Sequence, residues 1–204
     1  MNETLKRALS GTVYVFVMWF GSSSKLSTII LFSIITLIST YEMWKLRKGK
    51  TMLFHFFYVW MLMLSIDLDS KTLRFIYILT WTFDTFAYLF GIRFGKHKIM
   101  PSVSPKKSWE GFIGGLVSTI VASLILFQLN LFEKEQVSLF LLIGIGIILP
   151  FTASIGDFLE SYFKRQAGVK DSGSLIPGHG GILDRMDAFM ITIPIIYILT
   201  NLFK

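Results

Sequence analysis

Long apolar runs fill the chain, divided by short polar stretches. A helix needs about 20 mostly apolar residues to cross a bilayer. The pattern predicts seven candidate spans, at residues 5–21, 26–44, 51–66, 72–94, 109–132, 137–162 and 186–203. The first and third are the shortest. Pro150 falls inside the sixth and predicts a kink or a break there.

The polar stretches orient the bundle. With the N-terminus inside, only Lys25, Lys71, Arg74, Lys134 and Lys204 of the 20 basic residues fall in outer segments. Basic residues concentrate in cytoplasmic loops, so the pattern predicts N-terminus in and C-terminus out. The two longest connections, 95–108 and 165–184, then share the cytoplasmic face, where loops on a rigid scaffold build sites.

Composition narrows the class. Charged residues make up 16% of the 204 residues, against about 25% in soluble domains. Mean hydropathy is +0.62. Twenty Phe exclude disorder. Zero Cys excludes a disulfide scaffold, a thiol nucleophile and an iron–sulfur centre. A net charge of +7 would suggest nucleic acid in a soluble protein; here it reads as loop charge facing anionic lipid, with no nucleic-acid partner. Met1–Ser10 is basic, but no small-residue cleavage pattern follows, so no cleavable signal peptide is expected. The fold class is all-α, a polytopic transmembrane helical bundle forming one membrane domain over residues 1–204.

Acids inside spans are expensive and mark function by default. Asp84 lies mid-segment. Asp157, Glu160, Ser161 and Lys164 stand at i, i+3, i+4 and i+7, one face of a helix. For Glu160 and Lys164 alone, a polar stripe gluing helices is an equal reading. The stretch 168–187 carries Gly168, Gly173, Gly178, Gly180 and Gly181, which allow a backbone whose N–H groups face phosphate. Lys170, His179 and Arg185 add donors, and Asp184 and Asp187 offer oxygen to Mg2+. A flexible loop with a capping acid is the rival reading, disfavoured by the density of acids, bases and glycines. In the other loop, Ser104, Lys106, Lys107 and Ser108 precede a helix start, either as an anion site or as ordinary cytoplasmic charge. Carboxylates for a divalent cation beside basic glycine-rich loops support phosphoryl or nucleotidyl chemistry on a lipid.

Residues 161–187 read Ser161-x-x-Lys164-Arg165, Lys170-Asp171, Pro177-x-His179-Gly180-Gly181 and Asp184-Arg185-x-Asp187. This resembles the signature of the phosphatidate cytidylyltransferase (CDP-diacylglycerol synthase) family at every fixed position. Asp84-Thr85-x-Ala87-Tyr88, Ser104-Pro105-Lys106-Lys107-Ser108-Trp109-Glu110-Gly111 and Ser154-x-Gly156-Asp157-x-x-Glu160-Ser161 resemble it too. The likeness covers about residues 81–187, within a catalytic core at 76–204 preceded by N-terminal helices at 1–75.

The resemblance implies transfer of CMP from CTP to phosphatidic acid with Mg2+, giving CDP-diacylglycerol and pyrophosphate in the cell (inner) membrane. It implies Asp157 and Asp184 as metal ligands, with a second cation and a homodimer left open. The implied catalytic set is Asp157, Lys164, His179, Asp184 and Arg185. Ser104, Lys106, Lys107, Ser108, Glu160, Ser161, Arg165, Lys170, Asp171, Gly180 and Gly181 would touch substrate. Asp84 and Asp187 would orient ligands or metal. A phosphate monoester is already mostly ionised near neutral pH, so His179 reads better as a phosphate donor or loop-shaping group than as a base. His55 and His97 read as structural or interfacial. A CTP-dependent lipid kinase and a CDP-archaeol synthase are the nearer alternatives. A secondary transporter is disfavoured by the lack of an inverted repeat and the one-sided polar cluster.

Overall fold

The structure, a computed structural model, describes residues 3–46, 61, 65–129 and 138–202. Among these, six long helices and one hairpin follow in order: α1 (Glu3–Gly21), α2 (Lys25–Lys45), α3 (Ser70–Phe94), β1 (Lys98–Met100), β2 (Ser104–Ser108), α4 (Trp109–Gln128), α5 (Leu139–Gln166) and α6 (Leu183–Leu202). Helices α2 to α5 are each long and apolar enough to cross a membrane, and α1 holds a shorter apolar stretch, Leu9–Gly21. Most of the third candidate span, 51–66, lies outside the described residues.

Local chemistry starts these helices where the apolar runs begin. Asp69 accepts from the Thr72 amide at 2.8 Å and the Thr72 hydroxyl at 2.6 Å, capping α3. Ser108 caps α4 and Ser138 caps α5, each bonding the amide three residues on. Each such cap contributes roughly 1 kcal/mol. Helix α5 runs unbroken through Pro150 and ends one turn past the expected boundary; packing on both neighbouring helices overrides the lost backbone bond. Helix α4 stops at Gln128 rather than 132.

The core joins Phe32 and Ile35 of α2, Leu73, Ile76 and Leu79 of α3, Leu142 and Leu149 of α5, and Met186, Met190 and Ile193 of α6. Hydroxyls tie helices across it: Thr119 donates to the Gly146 carbonyl at 2.8 Å, and Thr152 meets Thr192 at 2.9 Å. Outward faces carry exposed Leu37, Ile92, Ile113 and Phe140, the last 88% exposed. Apolar surface on this scale requires an apolar solvent, as expected of a multi-pass membrane bundle.

The expected loop at 95–108 is not irregular. It folds into the antiparallel hairpin β1–β2, with Lys98 opposite Ser108 and Met100 opposite Ser104. Glu110 clamps its base, accepting from the amides of Lys96 and His97 and pairing with His97 Nδ1 at 2.6 Å. His97 thus has a structural partner; His55 lies outside the described residues.

Candidate active site

Six helix ends meet at one end of the bundle: the start of α1, the ends of α2, α3 and α5, and the starts of α4 and α6. Asp157, Glu160, Ser161 and Lys164 project from the last turns of α5 on one face. The Lys164 ammonium sits 2.5 Å from Glu160 Oε2 and 2.6 Å from Asp184 Oδ1, bridging α5 to α6. Asp184 Oδ2 accepts three further bonds, from the Ser172 amide and hydroxyl at 2.9 Å and the Gly181 amide at 2.7 Å. Burial alone would raise the Asp184 pKa; the bonds from Lys164 and Gly181 outweigh it and hold the carboxyl below its ordinary value.

The loop reaches this shape through a tight turn. The Ile176 amide donates to the Gly180 carbonyl at 2.8 Å, and the His179 amide to the Ile176 carbonyl at 2.9 Å. Gly180 has φ +85°, and a Cβ there would press on Asp184 Oδ2 and Asp171. Glycine is therefore required twice over, by conformation and by space. On α5, Gly156 lets the Asp187 carbonyl of α6 approach its backbone directly, which brings Asp157 and Asp187 to one wall.

Asp157 pairs with Lys107 of β2 and accepts from Ser161 Oγ at 3.2 Å. Lys107 also stands over the Phe158 ring, 4.9 Å from its centroid. Asp84, Asp157 and Asp187 lie within Coulombic range of one another. A cavity of about 380 Å3 gathers Asp84, Asp157, Asp171, Asp184 and Asp187 with Lys107, Lys164, Arg185 and His179. A second cavity, about 670 Å3, lies between α3, the hairpin and α4. Its walls are Ala87, Tyr88, Ile92, Ile99 and Phe112 together with Lys98, Ser104, Lys106 and Ser108. Phe83, Asp84 and Lys107 belong to both cavities.

Several expected contact residues are engaged in bonds within the protein. Glu160, only 1% exposed, braces Lys164. Ser161 orients Asp157. Arg165 donates to the Val169 carbonyl at 3.0 Å, and Lys170 lies exposed outside both cavities. Ser108 spends its side-chain oxygen on the α4 cap. Gly181 contributes its amide to Asp184. His179 Nδ1 meets Ser10 Oγ of α1 at 2.9 Å.

Four residues absent from the sequence-based set fasten the loop. Ser10 donates to the Pro177 carbonyl, and Tyr14 to the Arg185 carbonyl at 3.2 Å. Ser172 bonds Asp184. Glu42 of α2 accepts from the Ile182 and Leu183 amides at 3.1 and 2.9 Å. Ser10, Tyr14 and Glu42 belong to no local motif, whereas Ser172 lies inside the 161–187 stretch.

The donor set bears on a cation. Among the described residues no three His, Asp or Glu side chains enclose an ion by themselves. The first cavity nevertheless sets five carboxylates against three permanent cations, and buried charge requires pairing or a metal. Mg2+ commonly takes one or two carboxylates and completes its shell with water and substrate phosphate. The donor chemistry fits that ion.

Comparison with known proteins accords with this geometry. The sequence pattern of the cytidylyltransferase family matches residues 12–203. The chain belongs to the cytidylyltransferase family. A phosphatidate cytidylyltransferase of Staphylococcus saprophyticus is 47% identical over 125 residues, 61% of this chain and 47% of the relative. One from Staphylococcus aureus is 46% identical over 123 residues, covering 60% and 46%. One from Staphylococcus epidermidis is 44% identical over 133 residues, covering 64% and 50%. The chain thus spans about half the length of the curated relatives it matches. Membership in this family agrees with the resemblance carried by residues 161–187.

Proposed function

We propose that this cytidylyltransferase-family chain transfers CMP from CTP to phosphatidic acid, releasing pyrophosphate and forming CDP-diacylglycerol. One observation carries the reading. An acid-rich cavity with three cations shares Asp84 and Lys107 with a larger, mostly apolar cavity that lysines also line. That pairing suits a triphosphate on one side and an anionic lipid on the other. A phosphate oxygen of the lipid would attack the α-phosphorus as the bond to the β-phosphate oxygen breaks, and pyrophosphate would leave.

Each residue's part follows from its charge and place. Lys107 and Arg185 would hold phosphate oxygens, Lys107 from the wall shared by the cavities. Lys164 would keep Asp184 fixed and ionised. His179 would donate to phosphate, because the attacking oxygen is already ionised and requires no base. Lys98 and Lys106 would receive the lipid headgroup while Tyr88 and Ile92 face its chains. Asp157 and Asp184 would hold Mg2+, which when bound neutralises triphosphate charge. The basic-loop bias supports a site facing the cytoplasm in the inner membrane, with the N-terminus inside.

Labelled CTP tests the reading. In membranes or detergent with phosphatidic acid and Mg2+, α-labelled CTP should pass label into lipid and γ-labelled CTP should not. Transfer of γ-label would make the protein a lipid kinase. Transfer of neither would refute nucleotidyl transfer.

A further inference from the structure

Glu42 is a buried acid that no part of the proposed chemistry uses. It sits in the last turn of α2, 4% exposed, far in sequence from the signature loop. Its Oε1 accepts from the Ile182 amide at 3.1 Å. Its Oε2 accepts from the Leu183 amide at 2.9 Å and lies 3.0 Å from Ser172 Oγ. The same hydroxyl lies 2.9 Å from Asp184 Oδ2. A continuous chain of close polar contacts therefore runs Glu42, Ser172, Asp184, Lys164, Glu160, with the single Ser172 hydroxyl proton shared between the two carboxylates it faces.

Space makes the same point. A Cβ on Gly173 would stand 2.5 Å from Glu42 Oε1, and one on Gly181 would press on Glu42 Oε2 and Ser172 Oγ. The loop backbone is thus moulded around this carboxylate. The two amides it receives belong to the start of α6, where α6 has no intrahelical acceptor for them. A carboxylate there gains from charge-assisted bonds and from the helix dipole.

We propose that Glu42 is the positioning residue of this site. It lines neither of the two cavities described above. It acts through Ser172 and the Ile182 and Leu183 amides, closing residues 171–184 into the one shape that aims Asp184 and Arg185. The catalytic part of this inference rests on the cytidylyltransferase reading above; the loop-holding part does not.

The test compares the purified full chain with Glu42→Gln, which keeps shape but loses the charge and one acceptor. Two measurements are made: amide hydrogen exchange of peptides covering 171–184, and steady-state CMP transfer from α-labelled CTP to phosphatidic acid. Exchange in 171–184 should rise while α3 and α4 peptides stay unchanged. The kcat should fall about 10- to 100-fold, with KM for phosphatidic acid within about 2-fold, because the lipid cavity is untouched. Glu42→Asp, which keeps the charge, should recover part of the rate.

Faster loop exchange with normal kcat would leave Glu42 merely structural and overturn the proposal. Reduced kcat with unchanged exchange would also overturn it, since Glu42 would then act other than through the loop. If Glu42→Gln fails to fold, Ser172→Ala removes only the hydroxyl between Glu42 and Asp184. It should loosen the same peptides, and unchanged exchange and kcat there would refute the linkage. If the unaltered protein transfers no label, the functional reading fails on its own, and the exchange measurement still decides whether Glu42 holds the loop.

Discussion

Lys164→Met should be among the most destabilising single changes in this protein. The ammonium is shared by two carboxylates, Glu160 and Asp184, whose side chains are 1% and 6% exposed. Methionine keeps the length and much of the volume of lysine, so packing changes little. The cation goes, and two buried carboxyl groups are left facing each other across the α5–α6 contact. Removing one partner of a buried ion pair costs about 3–5 kcal/mol, a fall of roughly two to three and a half orders of magnitude in the folding equilibrium. Asp184 keeps its bonds from Ser172 and Gly181, whereas Glu160 keeps no hydrogen bond at either oxygen. The deficit therefore belongs mainly to Glu160, and adding Glu160→Gln should restore more than half of it. Unfolding by denaturing detergent added to mild-detergent micelles, followed by far-ultraviolet circular dichroism, measures both variants. A Lys164→Met protein within about 1 kcal/mol of wild type, or a double variant less stable than the single one, would refute the reasoning.

Two further outcomes are expected. Asp157→Asn should lower CMP transfer by about 100-fold or more while the circular dichroism spectrum stays unchanged; a rate within about tenfold of normal in the labelled-CTP assay would remove Asp157 from the reacting centre. Gly180→Ala and Gly168→Ala both force a side chain onto left-handed backbone, at φ +85° and +73°, but only the first drives a Cβ into Asp184, since Gly168 has open space around it. Each should lose about 1–2 kcal/mol of stability, and only Gly180→Ala should also lose most of the transfer rate; equal rates would show that Asp184 is not placed by this turn.

The sequence made the helical face legible because a 3.6-residue period is local: Asp157, Glu160, Ser161 and Lys164 stand together as their spacing requires. It also placed Asp184, Asp187 and His179 on the same cavity as Asp157, through a motif dense enough to stand out. Glu42 escaped because its partners are backbone amides about 140 positions away, which carry no residue signature. Ser10 and Tyr14 escaped for the same reason, each bonding a backbone carbonyl, Ser10 that of Pro177 in the loop and Tyr14 that of Arg185 in the first turn of α6. The hairpin was missed because Ser104-Pro105-Lys106-Lys107-Ser108 has no alternation of apolar and polar residues; ladder bonds and the Glu110 clamp shape it instead. The role of Glu160 changed with depth, from a group facing substrate to a counter-charge beneath Lys164, a distinction that spacing on a helix face does not encode.

The loop's fastening to α1 and α2 also sets an order of birth. During synthesis the first two helices enter the bilayer long before residues 172–185 leave the ribosome, so Glu42, Ser10 and Tyr14 wait without the partners they hold in the finished protein. A nascent chain stopped short of α6 therefore carries neither a closed loop nor Asp184 and Asp187.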